Sequence, residues 1–380
     1  MSARVQTYPI NGTSVGISKP VEVGHAHGHH WFSTLHPIGP DLLCEVVTTS
    51  DTAQGKWPGL LYLSRDAGES WTTACEIDSF AHTSVPLDDT RILLLPYELW
   101  PLSPGDRRNA AADGTIITNT DGVISTESVP VKFLGFDRDL DEYNGDELFL
   151  LTCGEVVRLN TGALLTTIYG RFGNRTARNQ YECIAVVSHD GGFTWEYPSI
   201  VASWEDTRGA PEGPNESSCS RIPDGRLMCI YRVGSGRENP YHIGISEDEG
   251  LTWSAPKAIE PWSVLPKTLT LPNGKMLLTG GRPGIMLWIC EDGTGESWHA
   301  INLAEHHNNA LKDTTLHYSE ACVLASGKDP LANTTSYTGM TALGDKEVLI
   351  SYDQLGNGWS GSPGPWGNYD TVFVVRATFD

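Results

Sequence analysis

The sequence predicts an all-β chain, a six-bladed β-propeller of four-stranded antiparallel blades making a single domain over residues 1–380. Three observations predict it. The pattern Ser-x-Asp-x-Gly-x-x-Trp recurs at residues 64–71, 188–195 and 246–253, with a fourth copy, one residue longer and begun by Cys290, at 290–298. The first three copies each follow a short apolar run (59–63, 183–187 and 242–245) and lead into a polar or proline-bearing segment, as a hairpin does. Finally, 40 Gly, 23 Pro and 12 Trp are interspersed with many short apolar runs, which favours strands and turns over helices.

The repeated box has a turn chemistry of its own. Its Ser and Asp side chains can bond backbone amides, its Gly can take a positive φ, and its Trp re-enters the next strand as a packing anchor. The boxes are therefore expected to be structural. From Trp71 to Trp195 is about twice the distance from Trp195 to Trp253, so one unit has lost its box. That unit falls near 79–150, where 82–85, 91–96 and 114–121 read as strands. Six units follow, at 29–78, 79–150, 151–205, 206–262, 263–304 and 330–380, and a repeat of this length suits radial blades. A strand near 12–17 is expected to complete the last unit. Surface loops are expected at 109–113, 204–214 and 306–333.

A formal charge of −21 and a pI near 4.9 speak against nucleic acid as a partner, because phosphate neutralisation needs clustered Lys and Arg. No apolar stretch is long enough for a membrane span. The eight cysteines lie mostly in apolar runs without a Cys-x-x-Cys pair, which predicts reduced, buried thiols. The first residues lack a basic region followed by an apolar core, so a cytoplasmic location is expected, with a secreted mature form as the alternative. No cofactor is implied, since no glycine-rich phosphate loop joins a strand to a helix. No metal is expected either, and the acidic run 137–141 is read as a solvated turn before a calcium loop.

Overlaying the second strand of each unit shows that every apolar run ends on a charge: Asp51, Glu98, Arg171, Arg232, Arg282 and Asp353. In a propeller these ends would meet around one mouth of the channel, where three arginines among carboxylates suit an anionic sugar. The alternative is a set of strand-end charges paired as salt bridges. Histidines 25, 27, 29, 30 and 36 form a cluster, of which His29 and His30 precede the first inner strand and either face the channel or belong to a surface loop without a role. His82 is a secondary candidate. Trp31, Trp100 and Tyr169 are either sugar-stacking platforms or core aromatics.

The boxes, with Asn215-Glu-Ser-Ser-Cys-Ser-Arg-Ile-Pro-Asp-Gly-Arg-Leu-Met-Cys-Ile-Tyr-Arg232, Gly281-Arg-Pro-Gly284 and Ser336-Tyr-Thr-Gly-Met-Thr-Ala-Leu-Gly-Asp345, resemble the sialidase (neuraminidase) superfamily over most of 29–380. The resemblance implies an exo-acting glycoside hydrolase, retaining, that releases a terminal acidic sugar such as sialic acid. It implies Tyr337 as nucleophile, Glu216 as its base, Asp51 as acid/base, and Arg232 and Arg282 as two of three arginines that hold a carboxylate. A neutral phenol is a sensible nucleophile here, because an anionic sugar repels a carboxylate. The chain departs from the family where an early Arg-Ile-Pro is expected: it reads His29-His-Trp-Phe-Ser-Thr-Leu35, with Trp31 nearest the arginine position. Arg171 is a candidate for the third charge. Two other functions remain open: a glycosidase or polysaccharide lyase acting on rhamnose, arabinofuranose or a uronic acid, and a non-catalytic glycan-binding propeller.

Overall fold

The computed structural model describes residues 6–380 apart from 11–12, 52–54, 144–146, 149, 174–179, 263, 326–332, 357 and 361–367. The described chain is all-β, with two short α-helices, Leu303–Ala310 and Glu320–Val323. No helix among the described residues is long and apolar enough to cross a membrane. Two compact units account for the chain, one of residues 1–78 and 269–380, the other of 79–268.

In the first unit, strands Trp31–Ile38, Asp41–Val47, Gly59–Ser64 and Thr72–Ile77 form a four-stranded antiparallel sheet in sequence order. The terminal sheet is built on Asp370–Phe379, which pairs with Glu347–Leu355 on one side and with Thr13–Ile17 and Val21–Ala26 on the other. The expected N-terminal strand thus does complete the last sheet. Its core joins Ile17, Ile350, Tyr352, Val375 and Phe379 to Leu277, Leu287 and Ile289 of the strands Met276–Gly281 and Ile285–Cys290.

In the second unit, Asn215–Arg221, Leu227–Arg232, Pro240–Ser246 and Lys257–Trp262 make another four-stranded sheet. The expected units 79–150 and 151–205, however, share one ten-stranded sheet. The reason is the long hairpin Ala110–Thr120/Val123–Leu134: Lys132–Leu134 runs parallel to Thr194–Glu196, while Trp100 and Pro101 pair with Ala111 and Ala110. Pairing therefore closes on itself through Glu98–Pro101, Leu150–Thr152, Leu164–Gly170, Glu182–Ser188, Thr194–Ala202, Val123–Leu134 and Ala110–Thr120. The loop expected at 109–113 is the start of this hairpin. Likewise, the segment expected as a loop from 306 begins inside the helix Leu303–Ala310, which Asn302 caps by accepting the Glu305 N–H.

The boxes occupy the turn after the third strand of their units, and each strand ends on the first box residue: Ser64, Ser188, Ser246 and Cys290. In the three serine copies the hydroxyl donates to the Asp carboxylate and accepts the amide of the box Gly, and the carboxylate accepts the amide four residues on. The box Gly192 has φ +100, and a Cβ there would meet Val85 Cγ2 at 3.0 Å. In the fourth copy the Cys290 thiol takes the hydroxyl's place, donating to Asp292 Oδ1 at 3.0 Å and accepting the Gly295 N–H at 3.2 Å. The eight cysteines are free thiols, all but Cys75 buried.

Candidate functional site

Two groups of polar side chains stand out, one in each unit. The first forms where Asn215–Arg221 enters its sheet. A register shift between Asn215 and Ser217 leaves Glu216 as an extra residue with φ +34, a conformation that a side chain rarely adopts and that tends to mark functional positions. Glu216 is 5% exposed, and its Oε2 accepts Arg232 Nη1 at 2.8 Å and the Leu265 N–H at 2.9 Å. Leu265 is itself left-handed, with φ +33. Arg232 ends the neighbouring strand, and its Nη2 reaches Glu212 at 3.2 Å and Ser235 Oγ at 2.9 Å. A buried carboxylate is tolerable when a guanidinium faces it, and here each fixes the other's orientation.

The second group surrounds Tyr337, immediately before the strand Thr338–Ala342. The half-buried Tyr337 ring lies 5.0 Å from Phe32, and the Arg282 guanidinium carbon sits 5.3 Å above it and 5.1 Å from the Trp359 ring. Arg282 Nη2 donates to the Thr335 carbonyl at 2.9 Å, and Trp359 Nε1 to the Thr334 carbonyl at 3.2 Å. Phe32, Arg282 and Ser336 all have positive φ, at +50, +89 and +62. The result is a cation held between two aromatic faces beside a phenol.

Asp353 departs most from its expected place. It was expected at a strand end facing the channel, but it lies inside Glu347–Leu355 and is wholly buried. Its Oδ1 accepts Thr334 Oγ1 and the Thr335 N–H, each at 2.8 Å, and its Oδ2 accepts Thr335 Oγ1 at 2.5 Å and the Phe32 N–H at 3.2 Å. Burial raises its pKa against the pull of these hydrogen bonds. A ligand cannot use an acceptor so enclosed.

Other expected site residues also move. Trp31 is 1% exposed, stacked on His29 at 4.2 Å with its Nε1 donating to the Thr49 carbonyl at 2.9 Å, so it is a core aromatic rather than a sugar platform. His30 is fully buried beside the Tyr62 hydroxyl at 3.4 Å, and burial pushes its imidazole down to about 4, which removes it as a channel-facing group. His82 is buried edge-on to Phe80 and Tyr97, and Tyr169 edge-on to Tyr181. Asp51 sits in an exposed turn beyond the strand Asp41–Val47. Glu98 does not end its apolar run but starts a strand of its own, half-buried opposite Leu151. Arg171 follows Leu164–Gly170, nearly buried, with its carbonyl accepting the Asp141 N–H at 2.9 Å. Of the expected set, the structure brings together Glu216 with Arg232, and Tyr337 with Arg282.

Sequence reasoning missed Lys267, which is buried and donates from Nζ to the His82 carbonyl and to Glu155, each at 2.7 Å. A single lysine inside an apolar strand, Val264–Thr270, was its only signal. In the acidic run 137–141, Asp137, Asp139 and Asp141 lie near Arg138, Arg108 and Arg107. No group of three or more ligating side chains among the described residues could hold a metal ion.

Residues 132–347 match the model of the BNR repeat-like domain. No protein of curated function matches the sequence. Solved structures share the fold. A protein of unknown function from Dyadobacter fermentans is 18% identical, with TM-score 0.67 over 96% of this chain and 99% of that one. A Hadza microbial sialidase is 14% identical, with TM-score 0.61 over 94% and 68%. An α-L-arabinanase from Penicillium chrysogenum, complexed with arabinobiose, is 14% identical, with TM-score 0.54 over 94% and 98%. With more than half of its length matched, the chain belongs to the BNR repeat-like domain family.

Proposed function

We propose that this protein is an exo-acting, retaining glycoside hydrolase that releases a terminal sugar from a glycan. Tyr337 is the nucleophile, Glu216 the general base and Asp51 the acid/base, with Arg232 and Arg282 as the cations that bind substrate. The phenolate oxygen attacks the anomeric carbon as the aglycone oxygen leaves with a proton, giving an aryl glycoside that water then hydrolyses. The repeat count that goes with this reading is six, two of them sharing the ten-stranded sheet.

The observation that carries it is Arg282 held against the Tyr337 ring, with three left-handed non-glycine residues close by in one small region. Strain of that kind is kept where geometry matters more than stability. Sialidases among the fold neighbours support the acidic sugar. A second reading keeps the chemistry and changes the sugar: the residue at the expected early arginine is buried Trp31, and an arabinanase is also among the neighbours, which favours a neutral sugar such as arabinofuranose.

The test is hydrolysis of aryl glycosides of sialic acid, arabinofuranose, rhamnose and glucuronic acid by the wild type, Tyr337→Phe and Glu216→Gln. Turnover of one glycoside, with kcat reduced by about 100-fold or more in each variant, is expected. Undiminished turnover by Tyr337→Phe overturns the nucleophile. Glycan binding without turnover of any of the four overturns the enzyme.

A further inference from the structure

We infer that Asp353 is the positioning residue for Tyr337, acting through the hydroxyls of Thr334 and Thr335. The inference rests on the reading of Tyr337 as nucleophile. Each hydroxyl has two partners. Thr334 Oγ1 donates to Asp353 Oδ1 at 2.8 Å and accepts the Ser336 N–H at 2.9 Å. Thr335 Oγ1 donates to Asp353 Oδ2 at 2.5 Å and accepts the Tyr337 N–H at 3.2 Å. One carboxylate therefore orients two hydroxyls, and the hydroxyls fix the two backbone amides that carry the left-handed Ser336 and then Tyr337.

The same carboxylate ties this loop to the opposing ring. Its Oδ2 also accepts the Phe32 N–H, and the Phe32 ring lies 5.0 Å from that of Tyr337. A third anchor is the Asp353 carbonyl, which accepts the Tyr318 hydroxyl at 2.6 Å and holds the strand itself in place. The loop carbonyls of Thr335 and Thr334 are bound by Arg282 and Trp359. Segment 334–337 is thus held through its amides by Asp353 and its threonines, and through its carbonyls by Trp359 and by Arg282, the cation over the phenol ring.

Asparagine is the informative replacement. Its amide nitrogen must oppose either the Phe32 N–H or the Thr335 N–H, because each carboxylate oxygen accepts one backbone donor. A donor facing a donor pushes the loop away, and a displacement of about 1 Å at a reacting group costs about 100-fold in rate.

The experiment uses the full chain with Asp353→Asn, Thr335→Val and Thr335→Ser, each checked by its thermal melt. On whichever of the four aryl glycosides the wild type hydrolyses, Asp353→Asn and Thr335→Val are expected to lose about 100-fold in kcat with KM within about threefold. Thr335→Ser, which keeps the hydroxyl, is expected to stay within about twofold. Equal kcat in the valine and serine variants overturns the relay. The crystal structure of Asp353→Asn decides the point without substrate: a displaced 334–337 segment supports the inference, and an unmoved one overturns it. Activity retained by Tyr337→Phe alongside a displaced segment would instead reject the nucleophile and leave the positioning intact.

Discussion

Glu216 and Asp353 are both buried carboxylates, and each accepts the backbone N–H of a left-handed residue, Leu265 for one and Phe32 for the other. They differ in what else they hold. Glu216 faces the guanidinium of Arg232, which in turn reaches the half-buried Glu212, so its charge is balanced beside groups that solvent reaches. Asp353 accepts only hydroxyl and amide donors from its own surroundings, and burial raises its pKa. The contrast teaches that a strained strand entrance can be fastened in two ways: with a charge pair that can also meet an anion, or with a closed set of neutral donors that can do nothing but hold.

The largest test of that contrast is to make the first arrangement resemble the second. Arg232→Ala leaves Glu216 buried and held by an N–H, with the counter-charge gone. Removing one partner of a buried pair costs about 3–5 kcal/mol, and urea unfolding of the variant should show a loss of that order. A loss below about 1 kcal/mol would mean that Glu216 behaves as Asp353 does and that Arg232 is not there to balance it.

Acid sharpens the comparison between the units. The unit that holds Asp353 also holds His30 and His307, both buried and both pushed down to about 4, with His307 bonded to the Tyr352 hydroxyl and the Leu316 carbonyl. Their folded pKa lies below the ordinary 6.5, so the unfolded chain binds protons first as pH falls. The stability they contribute is present above 6.5 and is lost as pH drops towards about 4, by up to ~1.4 kcal/mol per pH unit for each ring. Thermal melts over this range should show the decline, and His307→Gln should make it shallower by one ring's share. An unchanged slope would place the acid sensitivity elsewhere.

How much of this was legible in the sequence follows from how local each signal is. The box announces itself within eight residues, because Ser64, Ser188 and Ser246 close their turns with neighbours two to four positions away. Cys290 could be read as a worn copy for the same reason. Glu216 and Arg232 were each legible as site residues, but their pairing across adjacent strands of one hairpin was not, since the resemblance assigns Glu216 to Tyr337. Asp353 was not: a charge at the end of an apolar run looks the same whether it faces a channel or is enclosed, and the donors that enclose it come from Phe32 and from a loop almost twenty residues away. The shared ten-stranded sheet was hidden for a related reason, because nothing in 123–134 distinguishes a strand that stays in its own unit from one that runs beside Thr194–Ala202.

The finest distinction concerns the left-handed residues themselves. Phe32 and Leu265 fill the interior with their side chains, so replacing either with glycine would lose about 3 kcal/mol or more of packing. Ser336 is different. It has φ +62, a small side chain, and a buried hydroxyl with no hydrogen-bond partner among the described residues. Left-handed backbone costs a non-glycine residue about 1 kcal/mol, and an unpartnered buried hydroxyl costs about as much again. Glycine gives back up to ~1 kcal/mol in the unfolded chain's greater freedom. Ser336→Gly should therefore stabilise the protein by about 1 kcal/mol in urea unfolding, while the looser segment beside Tyr337 lowers kcat. A stabilised variant with undiminished kcat would mean that the strain at Ser336 contributes nothing to the placement of Tyr337, and that the hydroxyl relay from Asp353 is sufficient by itself.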